Sequence, residues 1–292
     1  MSTSSPVPRS TGPEIALSWG ACTDPGERGR NEDGHLAERP VFLVADGMGG
    51  HARGEAASSA VVAAFRPLTG ADWGSAADLR RAITAASDKV DALARDGACP
   101  GSTVAGVMLT HEGGQAYWLV FNIGDSRVYL FSGDQLEQVS IDHSRVQELV
   151  DIGEMSAQRA RDHRDRNVIT RALGAGIRGA PEPDQWLVKV VAGDRLVICS
   201  DGLTTEVTDP LIAATLLSVG DAAAAARELV NAALTAGGRD NVTVVVIDVL
   251  GAPPTGDVSA YTTEITLDLL PKVDLDAPTM PARRTGESRW SS

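Results

Sequence analysis

Four aspartates stand where an apolar run meets a turn former. They are Asp46 in Ala45-Asp46-Gly47-Met48-Gly49-Gly50, Asp125 in Gly124-Asp125-Ser126-Arg127, Asp201 in Ser200-Asp201-Gly202, and Asp240 in Arg239-Asp240-Asn241. A fifth acidic element, Asn31-Glu32-Asp33, follows the first expected strand. One Asp-Gly is an ordinary turn. Four such corners, each beside an apolar strand, suggest strand ends that meet, with glycine letting carbonyls as well as carboxylates face one point. Carboxylates brought together repel unless cations lie between them, and an all-oxygen donor set suits hard ions such as Mg²⁺ or Mn²⁺. No pair of His or Cys has zinc-ligand spacing, and the DxDxDG calcium loop is absent. Two such ions can share a water and lower its pKa towards neutrality. Phosphate esters gain most from that chemistry, since their hydrolysis needs up to roughly 10²¹-fold acceleration.

The order and wording of these motifs resemble the metal-dependent protein phosphatases (PPM, or protein phosphatase 2C), in their bacterial branch. The matching residues run Asp24-x-Gly26-x-Arg28-x-x-Asn31-Glu32-Asp33, then Asp46-Gly47-Met48-Gly49-Gly50-His51. They continue through Gly101-Ser102-Thr103, Gly124-Asp125-Ser126-Arg127, Asp142-His143-Ser144, Ser200-Asp201-Gly202-Leu203 and Gly238-Arg239-Asp240-Asn241, covering about residues 15–250. The resemblance implies a protein serine/threonine phosphatase that uses two or three Mn²⁺ or Mg²⁺ ions and metal-activated water. It implies that Asp46 bridges two metals, with the Gly47 carbonyl on one of them. Asp201 and Asp240 complete the other metal's shell, Glu32 acts through water, and Asp125 joins Asp201 at a third, weaker ion. Arg28 is expected to bind the phosphate, a role suited to a forked cation, and Asp33 to orient the ligands. Met48 stands where eukaryotic members commonly carry a histidine, which leaves the acid for the leaving alkoxide between His51 and metal-bound water. His143 reads as a loop histidine making local hydrogen bonds, and Cys199 as a buried core residue. The partners implied are phosphoserine and phosphothreonine proteins, made by a cognate kinase or including that kinase. An inert phosphatase-like binding module and a hydrolase of small phosphate esters are the alternative readings.

Composition agrees with a cation-binding enzyme. The 292 residues carry 39 Asp and Glu against 26 Lys and Arg, a formal charge of −13. That balance disfavours nucleic acid and anionic membranes as partners. No apolar run approaches the roughly 18 residues of a membrane span. Cys22, Cys99 and Cys199 have no CxxC spacing, and the N-terminus lacks an apolar signal core, so a cytoplasmic, monomeric protein is expected.

The elements that must position these residues are legible as strands near Ile15–Trp19, 41–45, 103–110, 115–123, 127–132, 135–140, 185–191, 195–199 and 242–249. Helical spacing is expected at 54–65, 78–95, 145–152, 168–173, 210–217 and 222–234, the last with Asp221 as N-cap. Strands in two blocks, separated and followed by helices, suggest an α+β fold. The expected form is a four-layer α-β-β-α sandwich, two antiparallel β-sheets flanked by helices. Residues 1–13 read as a disordered lead and 14–250 as the phosphatase domain. Within it, 142–180 reads as a mobile insertion resembling the family's flap, and 251–292 as a Pro-rich, disordered tail.

Overall fold

The computed structural model describes residues 12–49, 52–95, 97–177 and 179–253. The expected lead, except its last two residues, and nearly all of the expected tail lie outside that range, as does His51. In chain order the elements begin with β1 (Ala16–Asp24), β2 (Asp33–Glu38), β3 (Val41–Met48), α1 (Ala52–Phe65), a 3₁₀ turn (Arg66–Leu68) and α2 (Ala76–Asp91). Then come β4 (Gly101–Ser102), β5 (Val104–Glu112), β6 (Gln115–Ile123), β7 (Arg127–Ser132), β8 (Gln135–Gln138), α3 (Arg145–Asp151) and α4 (Ala157–Arg161). The chain closes with β9 (Leu173–Gly174), β10 (Asp184–Lys189), β11 (Arg195–Cys199), α5 (Asp201–Glu206), α6 (Asp209–Ser218), α7 (Ala222–Ala236) and β12 (Val242–Gly251).

One sheet has the order β1-β12-β11-β7-β8, and the other runs β10-β6-β5-β3-β4-β9 with β2 also paired to β3. All the pairings are antiparallel. The period-2 geometry of a strand explains the unbroken apolar runs. Val41, Leu43 and Ala45 of β3 point into the cluster under α1 and α2, while Phe42 and Val44 fill the space between the sheets. On β12, Val245, Ile247 and Val249 enter that same central layer, and Val242, Val244 and Val246 pack under α5, α6 and α7. Three apolar layers between four structural ones make the expected α-β-β-α sandwich.

Local signals account for most boundaries. Ser75 caps α2 reciprocally with Asp78, so the helix starts earlier than its apolar spacing implied and stops at Asp91 rather than Arg95. Asp221 caps α7 through Ala224 N–H at 2.7 Å. The helix expected at 168–173 is absent. There the backbone bonds across to the start of the insertion, Arg145 N–H to Val168 O and Thr170 N–H to His143 O, so it cannot bond to itself. The nearby helix is α4, capped by Ser156.

Candidate metal centre

Antiparallel pairing brings the C-terminal ends of β1, β3, β6 and β11 to the same edge of the sandwich as the N-terminal ends of β2, β7 and β12. Asp33 and Asp46 are direct cross-strand partners on β2 and β3. Like charges in that relation are destabilising. Burial, then the neighbouring Asp33, Asp201, Asp125 and Asp240, hold the Asp46 carboxyl well above the usual carboxylate range. Asp125 is likewise raised, by burial and then by Asp201 and Asp142. Burial pushes Asp33 up to about 7 even though Thr243 and Ser200 bond to it, and burial with Asp240 beside it takes Asp201 to about 6.

A scaffold of small polar side chains holds these acids. Ser200 Oγ and Thr243 Oγ1 donate to Asp33 Oδ2 at 2.8 and 2.7 Å. Thr103 Oγ1 accepts from Asp46 N–H at 2.9 Å and lies 2.8 Å from Ser126 Oγ, beside Asp125. Asn241 is the hub: its amide bonds Pro25 O, Arg30 O and Glu32 N–H, so one side chain ties the Asp240 loop to the Arg28–Glu32 segment. Gly54, in the first turn of α1, has no room for a Cβ, which would sit 2.7 Å from Gly47 O and 2.8 Å from the Glu32 carboxylate. The Gly47 carbonyl and the Glu32 carboxylate are therefore neighbours. Arg28 is exposed, with Nη2 2.8 Å from Asp240 Oδ2 and Nε donating to Arg239 O.

The oxygens at this edge bear on whether it can take a cation. Asp33 Oδ1 and Asp125 Oδ1 are buried with no hydrogen-bond partner, an expensive state for a carboxylate oxygen. Among the described residues no group of three or more Asp, Glu, His or Cys side chains is arranged to hold a metal ion by itself. Mg²⁺-type ions keep several waters and take only one or two carboxylates directly. The residues present fit hard divalent cations.

The structure thus gathers Arg28, Glu32, Asp33, Asp46, Gly47, Asp125, Asp201 and Asp240 at one edge. Met48 ends β3 beside them. Cys199 is fully buried with its thiol pushed up to about 12 by burial, which agrees with a core role. His143 is buried, and its bonds are not the local ones expected: Nδ1 accepts from Gly124 N–H, nineteen residues earlier, at 3.0 Å. Sequence reasoning gave no role to Thr103, Ser126, Ser200, Thr243 or Asn241. For Ser126, Ser200, Asn241 and Thr243 the signal was adjacency, each within three residues of a corner aspartate, whereas Thr103 stands in its own Gly101-Ser102-Thr103 stretch. It also missed the Arg127–Asp142 fork, in which Nη2 and Nε reach Asp142 Oδ2 and Oδ1 at 2.6 and 2.9 Å. A cleft of about 410 Å³ opens from Asp125 and Asp201 between α5 and the α3–α4 segment.

The Protein phosphatase 2C family pattern matches residues 30–236. The serine/threonine protein phosphatase PstP of Mycobacterium tuberculosis is 38% identical over 242 residues, 81% of this chain and 46% of that protein. The chain thus spans about half the length of that relative. The serine/threonine phosphatase stp of Listeria innocua is 32% identical over 77% of this chain and 93% of its own length. Among solved structures, the PstP catalytic domain in complex with two manganese ions superposes with a TM-score of 0.72 at 35% identity, covering 82% of this chain and all of that one. The PPM phosphatase MsPP of Mycobacterium smegmatis gives 0.72 at 37% identity, over 81% of this chain and all of its own. The chain belongs to the protein phosphatase 2C family.

Proposed function

We propose that this chain is a protein serine/threonine phosphatase that hydrolyses phosphoserine and phosphothreonine with Mn²⁺ or Mg²⁺ at the acidic edge. The observation that carries the reading is the set of repelling carboxylates on opposed strands, two of them with orphaned buried oxygens, within a protein phosphatase 2C fold. The two manganese ions of the PstP catalytic domain support the metal assignment. Asp46, Asp201 and Asp240, with the Gly47 carbonyl and Glu32, would hold two ions, and Asp125 with Asp201 a weaker third. Bound there, such ions supply an acidified water and offset the phosphoryl charge.

The protein's own part is positioning. Asp33 is steadied by two hydroxyls and faces Asp46 across the strand pair. Arg28 is the candidate phosphate ligand. Its exposed ion pair with Asp240 is worth only about 0–1 kcal/mol, so the guanidinium can turn from Asp240 to a phosphate at little cost once a cation takes its place. Met48 has no proton to give, so His51 is the side chain of this stretch that could protonate the leaving alkoxide, and water is the other source.

The substrates proposed are proteins phosphorylated by a serine/threonine kinase, the kinase itself among them. We place the protein in the cytoplasm, as a monomer; its three unpaired cysteines suit a reducing compartment. Among the described residues no helix is long and apolar enough to cross a membrane.

Phosphate release from a phosphothreonine peptide is the test. Release should need Mn²⁺ or Mg²⁺, stop with a chelator and be absent in Asp46→Asn. Faster hydrolysis of nucleoside monophosphates than of the peptide would favour the small-ester reading instead. No release from either, with the fold intact, would favour the inert module.

A further inference from the structure

Gly124 turns the chain out of β6 with φ +110° and stands on Thr103, whose Cγ2 would be 2.5 Å from any Cβ placed there. Asp125 follows directly, so the set of this one residue decides where that carboxylate points. Both backbone polar groups of Gly124 are taken by a single residue nineteen positions on. Gly124 N–H donates to His143 Nδ1 at 3.0 Å, and His143 N–H donates to Gly124 O at 2.9 Å. A backbone N–H can only donate, so Nδ1 is the bare nitrogen and the ring proton sits on Nε2. Nε2 lies 3.1 Å from Asp184 Oδ2, and the other oxygen of Asp184 accepts from Arg171 at 2.5 Å. Asn122 adds a third restraint, its amide donating to Gly124 O and to Ile141 O at 3.0 Å each.

We propose that His143 is a positioning residue that clamps the Gly124–Asp125 corner through its Nδ1 acceptor and its own N–H, and so sets the aim of the Asp125 carboxylate. The inference rests on the reading of Asp125 as a cation ligand. The clamp also explains why a buried histidine beside an acidic site is not its acid. Nδ1 is committed to backbone, and Nε2 lies within ion-pair distance of Asp184 without an aligned hydrogen bond. A residue that orients a metal ligand typically changes metal affinity by 10- to 100-fold when lost.

Two substitutions separate the clamp from mere packing. His143→Ala removes the acceptor, whereas His143→Asn returns an amide oxygen close to the Nδ1 position while losing the reach to Asp184. In the full, metal-free chain, hydrogen exchange should show the Gly124 amide at least about tenfold less protected in His143→Ala, with His143→Asn close to wild type. Amides within β6 should not change in either. In a Mn²⁺ titration, His143→Ala should weaken the weakest ion by about tenfold or more, leave the tighter ions unchanged, and be rescued by His143→Asn. Unchanged Gly124 exchange in His143→Ala, or a His143→Asn as defective as the alanine variant, would overturn the proposal. So would wild-type Mn²⁺ binding in His143→Ala where Asp125→Ala loses an ion. If Asp125→Ala binds as many ions as wild type, the ligand reading of Asp125 fails instead, and exchange at Gly124 alone decides the clamp.

Discussion

The strand β12 carries an acid close to each end, and the two ends treat their acids in opposite ways. Towards its C-terminal end Asp248 pairs in register with Arg195 of β11, their side chains about one-tenth exposed. Arg195 Nε bonds Asp248 Oδ1 at 2.7 Å, and its remaining donors reach the carbonyls of Leu216 and Val219 that α6 leaves open. Charge and hydrogen-bonding capacity are both matched there. At the other end Asp240 joins Asp33, Asp46, Asp125 and Asp201, and among the described residues the guanidinium bonded to Asp240 is that of the exposed Arg28. The same sandwich that can bury an arginine beside an aspartate leaves these acids facing one another with two oxygens orphaned. The difference supports the proposal that the acidic edge is completed from outside the chain, by a ligand that offsets its repulsion.

Breaking the acidic edge should have the largest effect on activity. Asp46→Asn should reduce phosphopeptide turnover by more than about 10³-fold, which corresponds to roughly 4 kcal/mol of barrier. The same variant without metal should be at least as stable as wild type, because a neutral amide avoids the cost of ionising a buried group among other acids. Near-normal turnover with Mn²⁺ would remove Asp46 from the centre. At the matched end the sign reverses. Arg195→Met strands Asp248 and should cost about 3–5 kcal/mol of stability. Arg195→Met with Asp248→Leu should recover much of it in urea unfolding, and equal losses in the single and double variants would show that the pair does not hold that end.

Arg28→Ala should spare metal affinity and lower kcat/KM by the value of one charge-assisted bond to phosphate, about 1.5–3 kcal/mol. Arg28→Lys should recover only part, since an ammonium lacks the fork. Weakened metal binding with unchanged kinetics at saturating Mn²⁺ would assign Arg28 to the ions instead. The smallest effect expected is on pH dependence. Asp33 at about 7 and Asp201 at about 6 hold protons in the folded, metal-free protein that the unfolded chain has already lost. The native state therefore binds more protons from about pH 4 upwards. Stability of the metal-free protein should fall as pH rises through that window to about 7, and Asp33→Asn should flatten the slope. A slope of the opposite sign would mean the acids are ionised and compensated within the chain.

Much of this was legible before any coordinates. The Asp-Gly stops were visible because each follows or precedes an apolar run, and the run at 41–45 announced a strand covered on both faces. Other features lacked a local signal. β2 reads Asp-Gly-His-Leu-Ala-Glu, with little strand propensity, and is a strand because β3 offers it hydrogen bonds. α5, at six residues, is too short to show periodicity. The bond from Thr243 to Asp33 joins residues 210 positions apart, and only the antiparallel topology brings them together. At 168–173 apolar spacing misled, because the backbone there was already committed to Arg145 and His143.

The claim that the acidic edge is completed by cations is tested most directly by titrating Mn²⁺ into the metal-free, full-length protein near pH 6.5. Calorimetry in two buffers of different ionisation heat reads both the number of ions and the protons they displace. At least two ions should bind with net proton release, because carboxyls held protonated by burial and by one another must ionise to become ligands. Absence of binding, or binding that survives unchanged in Asp46→Asn, would contradict the account.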